Sequence, residues 1–149
     1  MKRLLAATFF AATLAHGAAL PYDEAADAHA QVAQAVSAAA QDHRPVLVVF
    51  GANWCPDCRA LDLAMKDGRN AELIGREFRV VKVDVGRFDR NVDVAERYGV
   101  PLKKGVPALV VLEADGRVVY AQKNGEFESM RSMDPRSVND FLTRWSGKS

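Results

Sequence analysis

The chain has 149 residues, of which 49% are apolar and 26% are charged, the composition of an ordinary globular chain of one domain. This excludes a disordered, a collagen-like or a disulfide-stapled protein, since two cysteines allow at most one intramolecular disulfide. With 20 basic and 19 acidic residues the net charge is +1, so the charge gives no reason to expect nucleic acid as a partner.

The N-terminus has the three parts of a secretory signal peptide. A short basic start is followed by an apolar, uncharged run over residues 4–15 and then by small residues. The run is shorter than the roughly 20 residues of a membrane-spanning helix. We therefore predict a signal peptide over residues 1–19 that is cleaved after Gly17 or Ala19. Residues 20–149 are then expected to be exported as one domain, without stable insertion in a membrane. An uncleaved N-terminal helix is the alternative.

Helical and strand patterns alternate along the rest of the chain. Apolar or alternating runs rich in β-branched residues predict strands, and longer amphipathic stretches predict helices. Asp115 and Gly116 favour a hairpin turn, and Asp134 with Pro135 is typical of a helix start. In chain order, the predicted elements are helix 22–41, strand 45–51, helix 53–66, helix 71–77, strand 78–85, helix 92–98, strand 107–112, strand 118–121 and helix 134–145. This order predicts an α/β fold with a central mixed β-sheet flanked by helices on both faces.

A Cys-Pro-Asp-Cys sequence lies between the first predicted strand and the next helix. Two cysteines at this spacing can form a disulfide with little backbone movement. Cys55 would lie at a helix N-terminus, which stabilises a thiolate, and Cys58 would be more shielded one turn further on. The pattern favours attack of Cys55 on a disulfide, followed by release of the mixed disulfide by Cys58. The alternatives are a static structural disulfide and half of a zinc site, for which His29 and His43 remain as candidate ligands.

The sequence VLVVFGANWCPDC, residues 46–58, resembles the active-site strand and turn of the thioredoxin superfamily. The resemblance extends over about residues 30–146. Residues 81–85 resemble the next thioredoxin strand, and residues 105–112 resemble the segment that contains a cis-proline and opens another strand. A Trp-Cys-x-x-Cys motif after a buried strand, with Gly-Val-Pro about fifty residues later, is a strong signal for this superfamily. With the predicted signal peptide, the chain is most similar to periplasmic thioredoxin-like proteins and disulfide isomerases of Gram-negative bacteria. This implies a thioredoxin-like fold and a periplasmic or secreted location.

The resemblance implies a role for each matching residue. Cys55 matches the family's nucleophile and Cys58 its resolving thiol. Pro107 matches the cis-proline, and the backbone of Val106 before it would pair with an extended substrate chain. Trp54 matches the aromatic residue that flanks the site and contacts the substrate. No cofactor and no metal are expected, because the cysteine pair itself carries the chemistry.

The sequence also departs from the family at the proton acceptor. Val49 stands where many thioredoxins have a buried acid, so Lys82, which matches the family's lysine, lacks its usual partner. Asp57, water and a residue from another element all remain open as the acceptor for the proton of Cys58. The loop over residues 86–90 and the segment over residues 101–104 resemble insertions beside the active site.

Pro56 and Asp57, together with Lys82, are predicted to tune the reduction potential. A carboxylate between the two cysteines would repel a nearby thiolate and so favour the disulfide. The sequence therefore predicts a fairly low reduction potential for the cysteine pair. This favours a reductase or an isomerase over a strong oxidant.

Together, these features predict an exported thiol–disulfide oxidoreductase that reduces or isomerises disulfides in envelope proteins through a mixed disulfide. Its partners would be protein thiols and disulfides and, for a reductase, a membrane thiol protein that returns electrons. The alternative from another class is a non-catalytic thioredoxin-like module that binds a partner or a metal. A dedicated electron donor to one client enzyme is a third interpretation.

Overall fold

A computed structural model describes residues 19–147 and contains a four-stranded sheet with helices on both faces. The strands are β1 Val46–Gly51, β2 Arg79–Asp84, β3 Ala108–Leu112 and β4 Val118–Ala121, and their order in the sheet is β2-β1-β3-β4. β1 pairs in parallel with β2, whereas β1 with β3 and β3 with β4 are antiparallel pairs. The predicted α/β class and the mixed sheet are confirmed.

β1 is a central strand, and all six of its residues are buried. Because helices cover both faces of the sheet, the strand is apolar throughout instead of alternating with polar residues. Val49 lies opposite Lys82 on β2 and opposite Leu109 on β3. The strand runs from the centre of the core to the turn that precedes the cysteines, and this fixes the position of that turn.

The helices in the described residues are α1 Ala28–Asp42, α2 Pro56–Lys66, α3 Gly68–Glu77, α4 Val92–Arg97 and α5 Ser137–Trp145. Successive side chains of a strand point to opposite faces, so β1 contributes to two cores. On one face, Val48 and Phe50 pack with α1 and α4. On the other face, Leu47 and Val49 pack with α2, α3 and α5.

The first helix is shorter than predicted. It begins at Ala28 instead of residue 22, because the Asp27 carboxylate accepts the N–H of Ala30 at 3.0 Å and caps the helix there. The Ala-rich composition supported a longer helix, but residues 22–27 are turns and extended chain. This segment is therefore free to lie against another part of the molecule.

Three other helix starts differ from the prediction. α2 begins later, at Pro56, and α3 begins earlier, at Gly68, directly after the end of α2. α5 begins at Ser137, because the Asp134 carboxylate accepts the N–H of Arg136 at 2.8 Å and forms a turn before the helix. The remaining boundaries agree with the predicted elements to within one or two residues.

Among residues 19–147, none of the helices combines the length and the apolar character needed to cross a membrane. The predicted signal peptide lies outside the described residues except for Ala19, so the peptide and its two cleavage points stay predictions. The domain predicted over residues 20–149 is described as far as residue 147.

Candidate active site

The two cysteines lie where β1 ends and α2 begins. They form a disulfide, and their Cα atoms are 5.2 Å apart. Cys55 is the N-cap residue of α2, since its Sγ accepts the N–H of Cys58 at 3.1 Å. Pro56 follows in the first turn, where a missing N–H leaves no hydrogen bond unmade. The fold therefore holds one sulfur at the positive end of a helix, where a thiolate is stabilised.

A cis peptide bond between Val106 and Pro107 lies beside the disulfide, the geometry that the resemblance implied. The carbonyl oxygen of Val106 is 3.7 Å from Cys55 Sγ. The buried side chain of Gln122 holds this segment, because its Nε2 donates to the Pro107 carbonyl at 3.1 Å and its Oε1 accepts the N–H of Leu109 at 3.3 Å. The backbone beside Cys55 Sγ is thus anchored to the sheet.

Trp54 is 43% exposed and lies beside the disulfide on the protein surface. Its Nε1 donates to the carbonyl of Gly86 at 2.7 Å, and Phe88 packs edge-on against its ring with centroids 6.1 Å apart. The guanidinium of Arg87 lies 5.7 Å from the ring centroid. The loop that resembled an insertion, residues 86–90, therefore fixes the orientation of Trp54.

Asp57 does not face the disulfide as an unpaired charge. Its Oδ1 accepts the backbone N–H of Arg131 at 2.9 Å and Nε of the same residue at 3.2 Å. The backbone N–H and the guanidinium of Arg131 hold the pKa of Asp57 below its ordinary value, so this carboxylate is ionised at neutral pH but neutralised by its partner. The expected repulsion between Asp57 and a thiolate is accordingly weaker than the sequence suggested.

Lys82 has a partner, contrary to the expectation from Val49. Its Nζ contacts Oδ1 of Asp62, and Lys66 Nζ lies 2.7 Å from Oδ2 of the same carboxylate. Burial acts to raise the pKa of Asp62, but the hydrogen bonds and charges of Lys66 and Lys82 outweigh it and leave the pKa below its ordinary value. Asp62 lies one helical turn after Cys58 on α2. Sequence reasoning missed it, although its spacing of four residues from Cys58 places both on one face of the predicted helix.

A further contact comes from the segment before α1, which the sequence placed inside a helix. The side chain of Asn53 accepts the N–H of Tyr22 at 2.9 Å and donates to the Tyr22 carbonyl at 2.9 Å. Tyr22 is 3% exposed and packs in the same core as both cysteines. No local sequence pattern connects residues 31 positions apart, so this neighbour of the site could not be predicted.

The alternative that the cysteines form half of a zinc site finds no further ligands in the part of the chain that the structure describes. There, no group of three or more His, Cys, Asp or Glu side chains could hold a metal ion. His29, one of the two candidate ligands, lies on α1 with its Nε2 2.8 Å from Asp93.

The family model described as thioredoxin-like matches residues 27–114, more than half of the chain. The chain belongs to the thioredoxin-like family. This confirms the resemblance based on the first strand, the cysteine motif and the Gly-Val-Pro segment.

Three thioredoxin-like relatives show how far the similarity reaches. The crystal structure of a disulphide isomerase from Xylella fastidiosa Temecula1 is 48% identical, with a TM-score of 0.82 over 86% of this chain and 98% of that one. Thioredoxin C-2 of Corynebacterium nephridii is 37% identical over 78 residues, which cover 52% of this chain and 64% of that protein. Mouse nucleoredoxin is 27% identical over 125 residues, covering 69% of this chain but 28% of that much longer protein.

The contact between Arg131 and Asp57 leads to a prediction about the reduction potential. Replacing Arg131 with Ala removes the guanidinium but keeps the backbone N–H at Asp57. The less compensated carboxylate destabilises a thiolate at Cys55 and should lower the potential by about 10–20 mV. Asp57→Asn removes the charge and should raise the potential by a similar amount. The measurement is equilibration with glutathione buffers, followed by Trp54 fluorescence.

The matched control is Arg136→Ala, because Arg136 pairs with Asp134 at the start of α5. This control should leave the potential unchanged, and Arg131→Ala should lose most of its effect when Asp57 is already Asn. A higher potential in Arg131→Ala would contradict the assigned role of the pair.

Proposed function

We propose that this thioredoxin-like protein is an exported thiol–disulfide oxidoreductase that reduces or isomerises disulfides in other proteins. The observation that carries the proposal is the Cys55–Cys58 disulfide at the N-terminus of α2, with the Val106 carbonyl 3.7 Å from Cys55 Sγ. Thiol–disulfide exchange requires only a thiolate, a second thiol and access for a substrate disulfide. No cofactor is needed for this chemistry.

In the proposed reaction, the reduced protein begins with a thiolate at Cys55 and a thiol at Cys58. The Cys55 thiolate attacks a client disulfide, so that one client sulfur leaves as a thiolate and takes up a proton. The other client sulfur is then joined to Cys55 in a mixed disulfide. Cys58 then loses its proton and attacks Cys55 Sγ. The Cys55–Cys58 disulfide forms as the bond between Cys55 and the client breaks, and the second client sulfur leaves and is protonated. The client gains two electrons and the cysteine pair loses two.

The surface around Cys55 supports binding of an extended client segment. The Val106 backbone provides hydrogen-bonding groups beside the sulfur, and exposed Trp54 provides an aromatic face. A groove of about 620 Å³ continues from Gly105 to Phe88, which packs against Trp54. Apolar residues contribute most of its lining: Phe88, Val92, Val100, Pro101 and Leu102. We propose that the groove holds side chains that flank the client cysteine.

Asp62 is the acceptor that we propose for the proton of Cys58. It lies one turn further along α2, and its low pKa keeps it ionised at neutral pH. Its pairing with Lys82 and Lys66 also makes it a weak base, because proton transfer is most effective when the pKa lies near the working pH. Its contribution to the rate is therefore modest.

The direction of electron flow follows from the reduction potential. Asp57 disfavours a thiolate but is partly neutralised by Arg131, so we propose a moderately reducing pair that acts as a reductase or an isomerase. The solved structure of the Xylella relative is described as a disulphide isomerase, which supports the second of these. A reductase would also need a membrane thiol protein to return electrons.

Export to the periplasm is proposed from the N-terminal sequence. The basic start, the apolar run over residues 4–15 and the small residues that follow have the form of a signal peptide. Expressed in a Gram-negative host, the full chain should be recovered from the periplasmic fraction with a mass that corresponds to a start at residue 18 or 20. Recovery of the uncleaved chain from the cytoplasm would contradict export.

Cysteine variants test the proposed activity. Cys55→Ala should abolish reduction of insulin with dithiothreitol as electron source, because it removes the attacking sulfur. Cys58→Ala should still attack but accumulate a mixed disulfide that non-reducing electrophoresis detects. Circular dichroism confirms that both variants are folded. Insulin reduction by Cys55→Ala at the wild-type rate would contradict the proposal and favour a non-catalytic binding module.

Asp62→Asn tests the proposed proton acceptor. It should slow resolution of a preformed mixed disulfide several-fold at neutral pH, with little effect on the first attack by Cys55, because only Cys58 must lose a proton. The measurement is stopped-flow Trp54 fluorescence, with the exposed residue Asp115 changed to Asn as control. An unchanged resolution rate would contradict the role of Asp62 and leave water or Asp57 as the acceptor.

A further inference from the structure

The segment before α1, residues 20–27, lies across the turn that carries the cysteines, and we call it the N-terminal strap. Asn53 holds it through three hydrogen bonds, two with the backbone of Tyr22 and one at 3.0 Å from Nδ2 to Glu24 Oε1. Arg90 adds a fourth, since its Nη1 donates to the Glu24 carbonyl at 2.9 Å and lies 3.2 Å from Asp84 Oδ2. The strap is therefore fixed to the active-site turn and to the end of β2.

The strap brings one side chain inward. Tyr22 is buried between the strap and the end of β1, and its hydroxyl reaches the backbone of Gly51. A Cβ placed on Gly51 would have three heavy atoms within 2.9 Å, and these are Oη and Cζ of Tyr22 and Sγ of Cys58. The hydroxyl and the resolving sulfur thus both border the small space beside Gly51 that a side chain at this position would fill.

We propose that Tyr22 is a positioning residue for Cys58: once the disulfide is reduced, its hydroxyl donates a hydrogen bond to Cys58 Sγ and stabilises the thiolate that resolves the mixed disulfide. This inference rests on the proposed function. In the step itself, Cys58 gives its proton to the acceptor, Tyr22 keeps its own proton, and the Cys58 thiolate then attacks Cys55 Sγ. A phenol that remains protonated acts here as a donor and not as a base.

The charges around Cys58 explain why such a donor is useful. Cys58 is 1% exposed, and the carboxylates of Asp62 and Asp84 lie in this region on α2 and β2. Burial and nearby negative charge both disfavour a thiolate. The cations of the region are already paired, Lys66 and Lys82 with Asp62, and Arg90 with Asp84.

The same surroundings keep Tyr22 protonated. Burial first, and then the charges of Asp62 and Asp84, raise the pKa of Tyr22 far above its ordinary value. The hydroxyl is therefore a donor at every pH at which the protein works. A hydrogen bond to a charged acceptor is stronger than one between neutral groups, so the hydroxyl favours the thiolate over the thiol.

The test measures Cys58 alone. In a Cys55→Ser background the only sulfhydryl is that of Cys58, and serine keeps the N-cap of α2. Titration of the thiolate absorbance at 240 nm then gives the pKa of Cys58 with and without Tyr22→Phe, which removes one oxygen atom. We expect about a tenfold lower thiolate fraction at a given pH in Tyr22→Phe.

Two further variants complete the test. Tyr120→Phe is the matched control, because Tyr120 is a partly buried tyrosine that packs against Phe141 and Trp145 in the other core, and it should leave the titration unchanged. Asn53→Ala releases the strap without touching the hydroxyl and should shift the titration in the same direction as Tyr22→Phe. Thermal unfolding verifies that each variant is folded.

The outcomes separate this inference from the proposed function. Superimposable titrations with and without Tyr22→Phe would overturn the role of Tyr22, even if the wild-type protein reduces insulin. A shifted titration supports it even if wild-type activity is absent, because the titration does not depend on catalysis. In an active protein, Tyr22→Phe should also slow resolution of the mixed disulfide while the first attack by Cys55 keeps its wild-type rate.

Discussion

The first turn of α2 is capped by a sulfur atom, and the rest of the site is arranged around that hydrogen bond. The N–H groups at a helix start require acceptors, and Cys55 Sγ provides one for the N–H of Cys58. The sulfur proposed to attack substrates is therefore positioned by the same interaction that starts the helix. Since β1 enters from a core buried on both sides, neither the strand nor the helix can shift the sulfur without disturbing the fold. The contacts that hold this region together are therefore also those that place Cys55 Sγ.

Buried polar side chains are concentrated near this cap. In the described residues, buried Asp62 and Asp84 lie around the cysteines, and buried Gln122 holds the segment with the cis-proline. Each has a hydrogen-bond or ion-pair partner, as is required for polar groups removed from water. Asn70 is the exception to this concentration near the cap, since it is buried on α3, where its Nδ2 donates to the Ala64 carbonyl at 2.9 Å and its Oδ1 accepts from Asn139. Aromatic contacts such as those of Tyr120 with Phe141 and Trp145 hold the core on that face of the sheet. Three of the four buried polar side chains in the described residues thus lie on the side where charge changes during the proposed reaction.

The sequence was sufficient for the strands, the cysteine motif and the cis-proline segment, because each has a local pattern of apolar residues, glycine and proline. It was insufficient for contacts between distant residues. Asp62 replaces the missing acid beside Lys82 from another element, and Arg131 reaches Asp57 across 74 positions. Tyr22 was placed in an Ala-rich helix because composition favoured one, whereas the cap at Asp27 starts that helix later. Such contacts depend on how distant segments pack in the folded protein, and they leave no periodic pattern in the sequence.

The position of Tyr22 has a consequence for oxidative damage. Cys55 is 4% exposed and follows the half-exposed Trp54, whereas Cys58 is 1% exposed and lies with the buried phenol of Tyr22 beside Gly51. A peroxide that enters from solvent therefore meets Cys55 first. Oxidation there to a sulfenic acid is reversible, because Cys58 can condense with it to restore the disulfide and release water. The thiol of Cys58 reverses this damage, and the strap shields it from oxidation to sulfinic and sulfonic acids, which is irreversible.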